Sequence, residues 1–297
     1  MPLRSFLLFA AICLVWAMNM VVSRVMVEDL AVPPLFYAAL RSGLGAVVLL
    51  PWLRPVPANL LKVLLVTFAT SGGAFALLFM GLRTTSPSAA SVIGLSAAPL
   101  TVLFAVLFLG ERVHWRRAVG IALAFTGVVV AVADPAGWRG GAGEGLLLVL
   151  ASAVVGALGA VFIKQLPLSP LRLQAWGTLG SVTMLLPLSL VLEDTPVAAS
   201  LAAGWELVAA LLFSGLVVSV GAHTLYFRML QRFDANLVAP LTLMTPVFTI
   251  VLGVVITGDA VSLRLLAGGA IAAAGVLVIL VRPSRALFKP LLVRPRL

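Results

Sequence analysis

Residues 88–112 read SAASVIGLSAAPLTVLFAVLFLGER, and residues 235–259 read ANLVAPLTLMTPVFTIVLGVVITGD. Each opens on a long uncharged run, 88–109 in the first and 235–257 in the second. Each carries a proline well inside the run, Pro99 and Pro246. Each ends on a glycine followed at once by an acid, Gly110-Glu111 and Gly258-Asp259. A helix needs about 20 mainly apolar residues to cross the hydrocarbon core of a bilayer, and both runs are long enough. The shared marks, 147 and 148 residues apart, indicate one helix design used twice.

Working outward, the same kind of run recurs along the chain. Ten segments fit a membrane-spanning helix: 5–24, 33–53, 61–82, 88–109, 116–133, 145–164, 170–192, 205–228, 235–257 and 262–281. The separators are short and carry charges or turn residues, and no gap is long enough for a soluble domain. The first segment holds Trp16 and Asn19 and has no small-x-small cleavage site before a soluble domain, so it reads as span one rather than a removable signal. Of the 297 residues, 62% are hydrophobic and only 10% charged, against roughly 25% charged in soluble domains. A soluble protein of this size has too little polar surface to cover that apolar content. Cys13 is the one cysteine, so no internal disulfide framework exists; in its apolar run it reads as a small buried side chain.

The repeat extends beyond the opening pair. Pro34-Leu35 and Leu49-Leu50-Pro51 match Pro170-Leu171 and Leu185-Leu186-Pro187 at an offset of 136. Gly73-Ala74 matches Gly221-Ala222 at 148, and Gly120 and Gly127 match Gly268 and Gly275 at 148. The chain thus divides into residues 1–139, residues 140–281 and a basic tail 282–297. Each half has five spans, an odd number, so similar halves face opposite ways across the membrane. The expected fold is an all-α integral membrane protein with ten transmembrane helices in two inverted five-helix repeats. Many secondary transporters have such architecture around a midplane site, and exchanging the conformations of the two halves gives alternating access.

Orientation follows from Lys and Arg. With the N-terminus inside, fifteen of the 20 fall on the inner side, four on the outer side (Arg24, Arg83, Arg139, Arg264), and Arg41 lies within a span. Eight of the ten acids fall outside; Glu111 and Asp234 fall inside. Both termini are therefore expected in the cytoplasm. The net charge of +10 is mostly this orientation signal, with the tail able to rest on anionic lipid, and nucleic acid is not an expected partner.

The ten spans, the two five-helix halves, Trp16-x-x-Asn19 in span one, the Pro99 … Leu109-Gly110-Glu111-Arg112 end of span four and the glycine-spaced span five together resemble the drug/metabolite transporter superfamily, EamA type. The resemblance covers essentially the whole chain. It implies a bacterial inner-membrane exporter of small metabolites, amino acids first, without a cofactor, and is similar to the aromatic and neutral amino-acid exporters. It also implies that spans one to four and six to nine surround the path while five and ten are peripheral. Where the family usually has glycine after the tryptophan, Ala17 stands here, and Thr257-Gly258-Asp259 replaces the fuller Leu-Gly-Glu.

Several residues are candidates for the path. Arg41 lies about eight residues into span two, roughly 12 Å at 1.5 Å per residue. A charge at that depth is costly and should face a cavity or a partner; it could attract a substrate carboxylate, gate the outward side, snorkel toward the outer surface or bind helix-end carbonyls. His223 in span eight could carry a proton, hydrogen-bond a substrate or bridge helices. Trp16 and Asn19 lie three apart on one helical face and could stack on and hydrogen-bond a zwitterion. Trp176 with Gln174, and Tyr226 with Thr224, are further lining candidates. Tyr37 sits toward the outer end of span two, where an interfacial aromatic is also expected. Phe75 and Phe79 could form an apolar wall. Trp52, Trp115, Trp138 and Trp205 read as belt residues at span ends. Pro99 and Pro246 are expected to kink or hinge spans four and nine. Glu111, Arg112 and Arg116 read as an inner gate or a structural ion pair.

No HExxH, phosphate-binding loop or Gly-x-Ser-x-Gly occurs, and His114 and His223 are too few for a histidine metal site. No enzyme is expected, and no metal. No Asp or Glu lies deep in a span, which favours facilitative transport or exchange; a proton-coupled exporter and a flippase of lipids or lipid-linked sugars are the rival readings. The glycines seven apart in spans five and ten suit close packing, either within the chain or at a homodimer contact.

Overall fold

The computed structural model describes residues 3–110, 115–133, 142–163, 165–232 and 239–280. Among these, the chain is all helical, with no strand. Eight helices are long and apolar enough to cross a membrane: α1 (Leu3–Asp29), α3 (Leu60–Gly81), α4 (Pro87–Leu109), α5 (Trp115–Val132), α6 (Gly143–Ile163), α7 (Pro170–Leu192), α8 (Gly204–Tyr226) and α10 (Leu263–Leu280). Two shorter apolar helices, α2 (Pro34–Val48) and α9 (Leu241–Thr257), complete the set. α2 rises only about 22 Å at 1.5 Å per residue, and a 3₁₀ turn over Leu50–Leu53 follows it. A short helix, Pro196–Ala202, joins α7 to α8.

The starts and stops follow from sequence. Proline opens α2, α4 and α7, where its missing N–H has no helical partner to lose. Gly110 and Gly258, the glycines of the two opening stretches, close α4 and α9 in the left-handed region, at φ 65° and 66°. Large apolar side chains such as Leu107, Val191 and Val255 point outward, the arrangement lipid accepts and water does not.

Several helices are locally irregular. π-helical turns occur at Val25–Asp29 in α1, Ala69–Gly73 in α3, Leu212–Ala222 in α8 and Gly253–Thr257 in α9. α4 breaks after Gly94 and resumes at Ala97. α9 is entered through a 3₁₀ turn over Ala239–Leu243 and becomes α-helical at Met244. Pro99 and Pro246 are thus each the third residue of the α-helical part, where no i→i−4 bond is available to break. In both helices the irregular backbone lies just before the proline.

α5 and α10 pack along their whole length, and their backbones touch. A Cβ on Gly127 would run into Ala272 N and Gly268 O, and one on Gly275 into the Ala124 backbone and Gly120 O. Only glycine permits that approach, and the gain is van der Waals contact along the seam. The glycine faces are therefore occupied within the chain. Elsewhere α2 packs on α7, α6 on α3 and α4, and α1 on α9.

Candidate functional site

Arg41 organises the polar centre. It is only 5% exposed. Its Nε lies 3.2 Å from Ser214 O and 3.1 Å from Ser219 Oγ, and its Nη2 donates to Ser219 Oγ at 2.9 Å. Ser219 Oγ in turn donates to Ser214 O at 2.7 Å. The guanidinium carbon stands 3.9 Å above the centre of the Phe75 ring and 5.8 Å from that of Phe79, a cation–π arrangement. Nη1 is buried and has no hydrogen-bond partner among the described residues. One face of this buried cation is thus held, and its Nη1 is unspent among the described residues.

The π-helical stretch of α8 makes this cradle. On an α-helix residues five apart point about 140° away from each other. The wider turn stacks them instead, so Ser214 meets Ser219, and Val218 O meets His223 Nδ1 at 2.8 Å. A carbonyl can only accept, so Nδ1 carries the hydrogen and Nε2 of the neutral ring is an acceptor. π turns are frequent at functional sites, and residues of a second one, Ala69–Gly73 in α3, line the same cavity as Ser219.

Arg41 and His223 line one cavity of about 310 Å³, together with Ser42, Thr70, Ser71, Phe75, Gln174, Thr178 and Ser219. A second cavity of about 460 Å³, mainly apolar, lies between α1, α3, α4, α6 and α9 and is lined by Met20, Leu78, Gly94, Leu95, Thr245 and Pro246 among others. Thr70 and Phe75 line both. Phe75 therefore borders both chambers, under the Arg41 guanidinium.

The other candidates distribute around this centre. Trp16 packs against His223 and Tyr226, with ring centroids 5.4 and 5.1 Å apart, and Tyr226 continues to Phe9 at 6.1 Å. The Trp16 indole N–H and Asn19 Oδ1 are buried without a hydrogen-bond partner among the described residues. Tyr37 is fully buried rather than interfacial: its hydroxyl is 3.3 Å from Ser214 Oγ, and its ring meets Phe79 at 5.1 Å. Helical spacing of four places it on the Arg41 face. Trp176 lies apart, buried with Val63 and Leu166. Pro99 is buried and does not line either cavity. Trp115 and Trp205 are three-quarters exposed at helix ends, and Trp52 less so. Arg116, the second residue of α5, is half-buried. Glu111, Arg112, Trp138 and the tail 282–297 lie outside the described residues.

Ser214 and Ser219, the direct partners of Arg41, escaped the sequence reading because their spacing is meaningless on an α-helix. The available signal was a Ser/Gly-interrupted apolar run, Ser214-Gly215 through Ser219-Val220-Gly221, which hints at irregular backbone. Among the described residues no three His, Cys, Asp or Glu side chains gather as a metal site would need.

The model of the EamA-like transporter family matches the chain twice, over residues 3–133 and 143–281. This chain belongs to the EamA-like transporter family. As an EamA-type member of the drug/metabolite transporter superfamily it is a multi-pass membrane transporter and not an enzyme. Two bacterial EamA relatives are each named "Probable amino-acid metabolite efflux pump". That of Escherichia coli strain K12 is 30% identical over 248 residues, covering 80% of this chain and 81% of its own length. That of Salmonella typhimurium strain LT2 is 28% identical over 275 residues, covering 90% and 91%. A crystal structure at 22% identity covers 94% of this chain and 96% of its own, with a TM-score of 0.61, and shares the fold.

Proposed function

We propose that this EamA-type transporter exports small zwitterionic metabolites, amino acids first, across the bacterial inner membrane by alternating access. One observation carries the reading. A buried arginine with an unpartnered Nη1 shares a 310 Å³ cavity with a histidine whose free ring nitrogen accepts. The pair offers a charged donor to a carboxylate and an acceptor to an ammonium group. Charge-assisted hydrogen bonds of this kind are about twice as strong as neutral ones. The names of the two relatives support the same substrate class.

The architecture that fits this function is ten spans in two inverted five-helix repeats, 1–139 and 140–281, with both termini cytoplasmic. Two copies of the family match, the two shorter helices beside the eight long ones, and the excess of Lys and Arg on one side support it. No Asp or Glu lines either cavity, which favours facilitative transport or exchange over a carboxylate proton carrier. The test is uptake of radiolabelled amino acids into proteoliposomes, with and without a pH gradient, for the parent, Arg41→Lys and Arg41→Ala. Saturable uptake without a gradient, lost by roughly 100-fold in Arg41→Ala and partly kept in Arg41→Lys, is expected, because truncating one partner of a buried charge interaction costs 2–5 kcal/mol. No uptake of any amino acid by folded parent protein overturns the substrate class and turns attention to lipids and other metabolites.

A further inference from the structure

At the end of the helix bundle where α1, α3, α7 and α9 finish, two carboxylates cross from the second half of the chain to the first. Glu193, just past α7, accepts from the first free amides of α2: Oε1 from Leu35 N at 2.8 Å and Oε2 from Phe36 N at 2.9 Å. Ser189 Oγ donates to Oε2 at 2.6 Å and steadies it. α2 starts Pro33-Pro34 and has no side-chain cap of its own, so its N-terminal amides depend on Glu193. Asp259, just past α9, adds to the cap of α4, where Ser86 Oγ already accepts from Ala89 N. Asp259 Oδ2 accepts from Ser88 N at 2.9 Å and from Ser88 Oγ at 2.5 Å, and its Oδ1 accepts from Thr257 Oγ1 at 2.7 Å. A carboxylate at a helix N-terminus also gains from the helix dipole. Gly253 makes the second contact possible, since a Cβ there would strike both Asp259 Oδ2 and Ser88 Oγ.

The other polar ties differ. At the same end Arg24 pairs with Glu28 and donates to Leu82 O, but all three belong to the first half, so nothing there bridges the halves. At the opposite end Lys62 reaches Gln165 Oε1 at 3.3 Å and Arg172 reaches Pro55 O, single bonds on exposed side chains. Arg264, at the same end as the two carboxylates, reaches Ala133 O at 3.5 Å, again a single exposed bond. Among the described residues at the two ends, the Glu193 and Asp259 crossings are the ones that carry several bonds into half-buried surroundings. α2 and α4, the helices held there, line the two cavities, as do α7 and α9, which hold them.

We infer that Glu193 and Asp259 are the paired latches of the outer gate: both must leave the N-termini of α2 and α4 for the cavities to open to the outside. The inference rests on the alternating-access reading, and the basic-residue count assigns this end to the exterior. A gate of this kind couples opening to the exposure of four or more hydrogen-bonding groups at once, so it is closed by default and cooperative.

The test places one thiol in the larger cavity, Ser91→Cys in a Cys13→Ser background, and labels intact cells from outside with a membrane-impermeant maleimide. Glu193→Gln, Asp259→Asn and their combination weaken the acceptors. Gly253→Ala pushes Asp259 off Ser88 without touching a charge. Labelling is expected to rise about tenfold in the single variants, the scale of one charge-assisted hydrogen bond, and further in the double. Asp259→Glu is expected to restore part of the protection. Unchanged outside labelling in Glu193→Gln, Asp259→Asn and Gly253→Ala, each shown folded by its elution from a sizing column, overturns the inference. The readout needs no substrate. Raised labelling alongside a parent that moves no amino acid leaves the gate standing and removes the substrate class; active parent transport with unchanged labelling does the reverse.

Discussion

The α5–α10 seam and the Arg41 layer are opposite ways of packing helices in lipid. The seam is dry and regular. Four glycines let two helices meet backbone to backbone, and the side chains buried along the contact are apolar. The Arg41 layer uses π-helical turns in α3 and α8, a stacked guanidinium, two serines and a histidine, and keeps one buried donor without a partner. Close packing has no second arrangement of similar energy, so the seam is suited to holding position. The polar layer leaves Arg41 Nη1 unpartnered among the described residues, so it can take up a new partner without first breaking a bond there. Close apolar packing and buried polar contacts are thereby placed on different helices.

Breaking the seam should give the largest effect on the fold. Gly127→Leu drives a side chain into the Gly268–Ala272 backbone and should destabilise the protein by about 3 kcal/mol or more, read as a lower thermal unfolding midpoint in detergent. Whatever folds should bind substrate with unchanged affinity; a specific loss of affinity would break the division between the two regions. A smaller effect is expected at His223. His223→Gln keeps a side-chain acceptor and should raise KM by less than about tenfold, whereas His223→Phe should raise it more, by about the value of a lost hydrogen bond. Equal effects of the two would remove His223 from the ligand and leave it as packing for Trp16. The smallest effect is expected at Trp205, three-quarters exposed at the start of α8. Trp205→Phe should leave transport within about twofold and shift the unfolding midpoint little, since surface substitutions fall within about 0.5 kcal/mol.

Much of the fold was legible because hydropathy over 20 residues is an averaged signal. The reading 170–192 coincides with Pro170–Leu192, and 88–109 misses Pro87–Leu109 by one residue. Averaging also explains what was lost. The 33–53 segment is apolar throughout, yet α2 ends at Val48 and a 3₁₀ turn follows. Tyr37, near a helix end on a linear count, is buried because α2 begins beneath Glu193 and packs on α7 and α8. Glu193 and Asp259 read as ordinary loop acids, since nothing in the local sequence reveals which foreign helix start each one meets. Of the site, Arg41, His223 and Phe75 could be singled out by type and depth. Ser214 and Ser219 could not, since their register exists only after the backbone widens.

By itself the sequence determined that the solvent is lipid, that proline opens and glycine closes particular helices, and that two glycine-acid pairs recur 148 residues apart. These are one-dimensional properties: burial in lipid demands length and apolarity, and proline and glycine act on their own backbone. The tertiary structure alone decided that the glycine stripes of α5 and α10 seal against each other, that Arg41 rests on Phe75 and the α8 serines, and that two acids of one half cap helices of the other. Each of those depends on which surfaces meet, and a donor, a face or a gap has no meaning until its partner is in place.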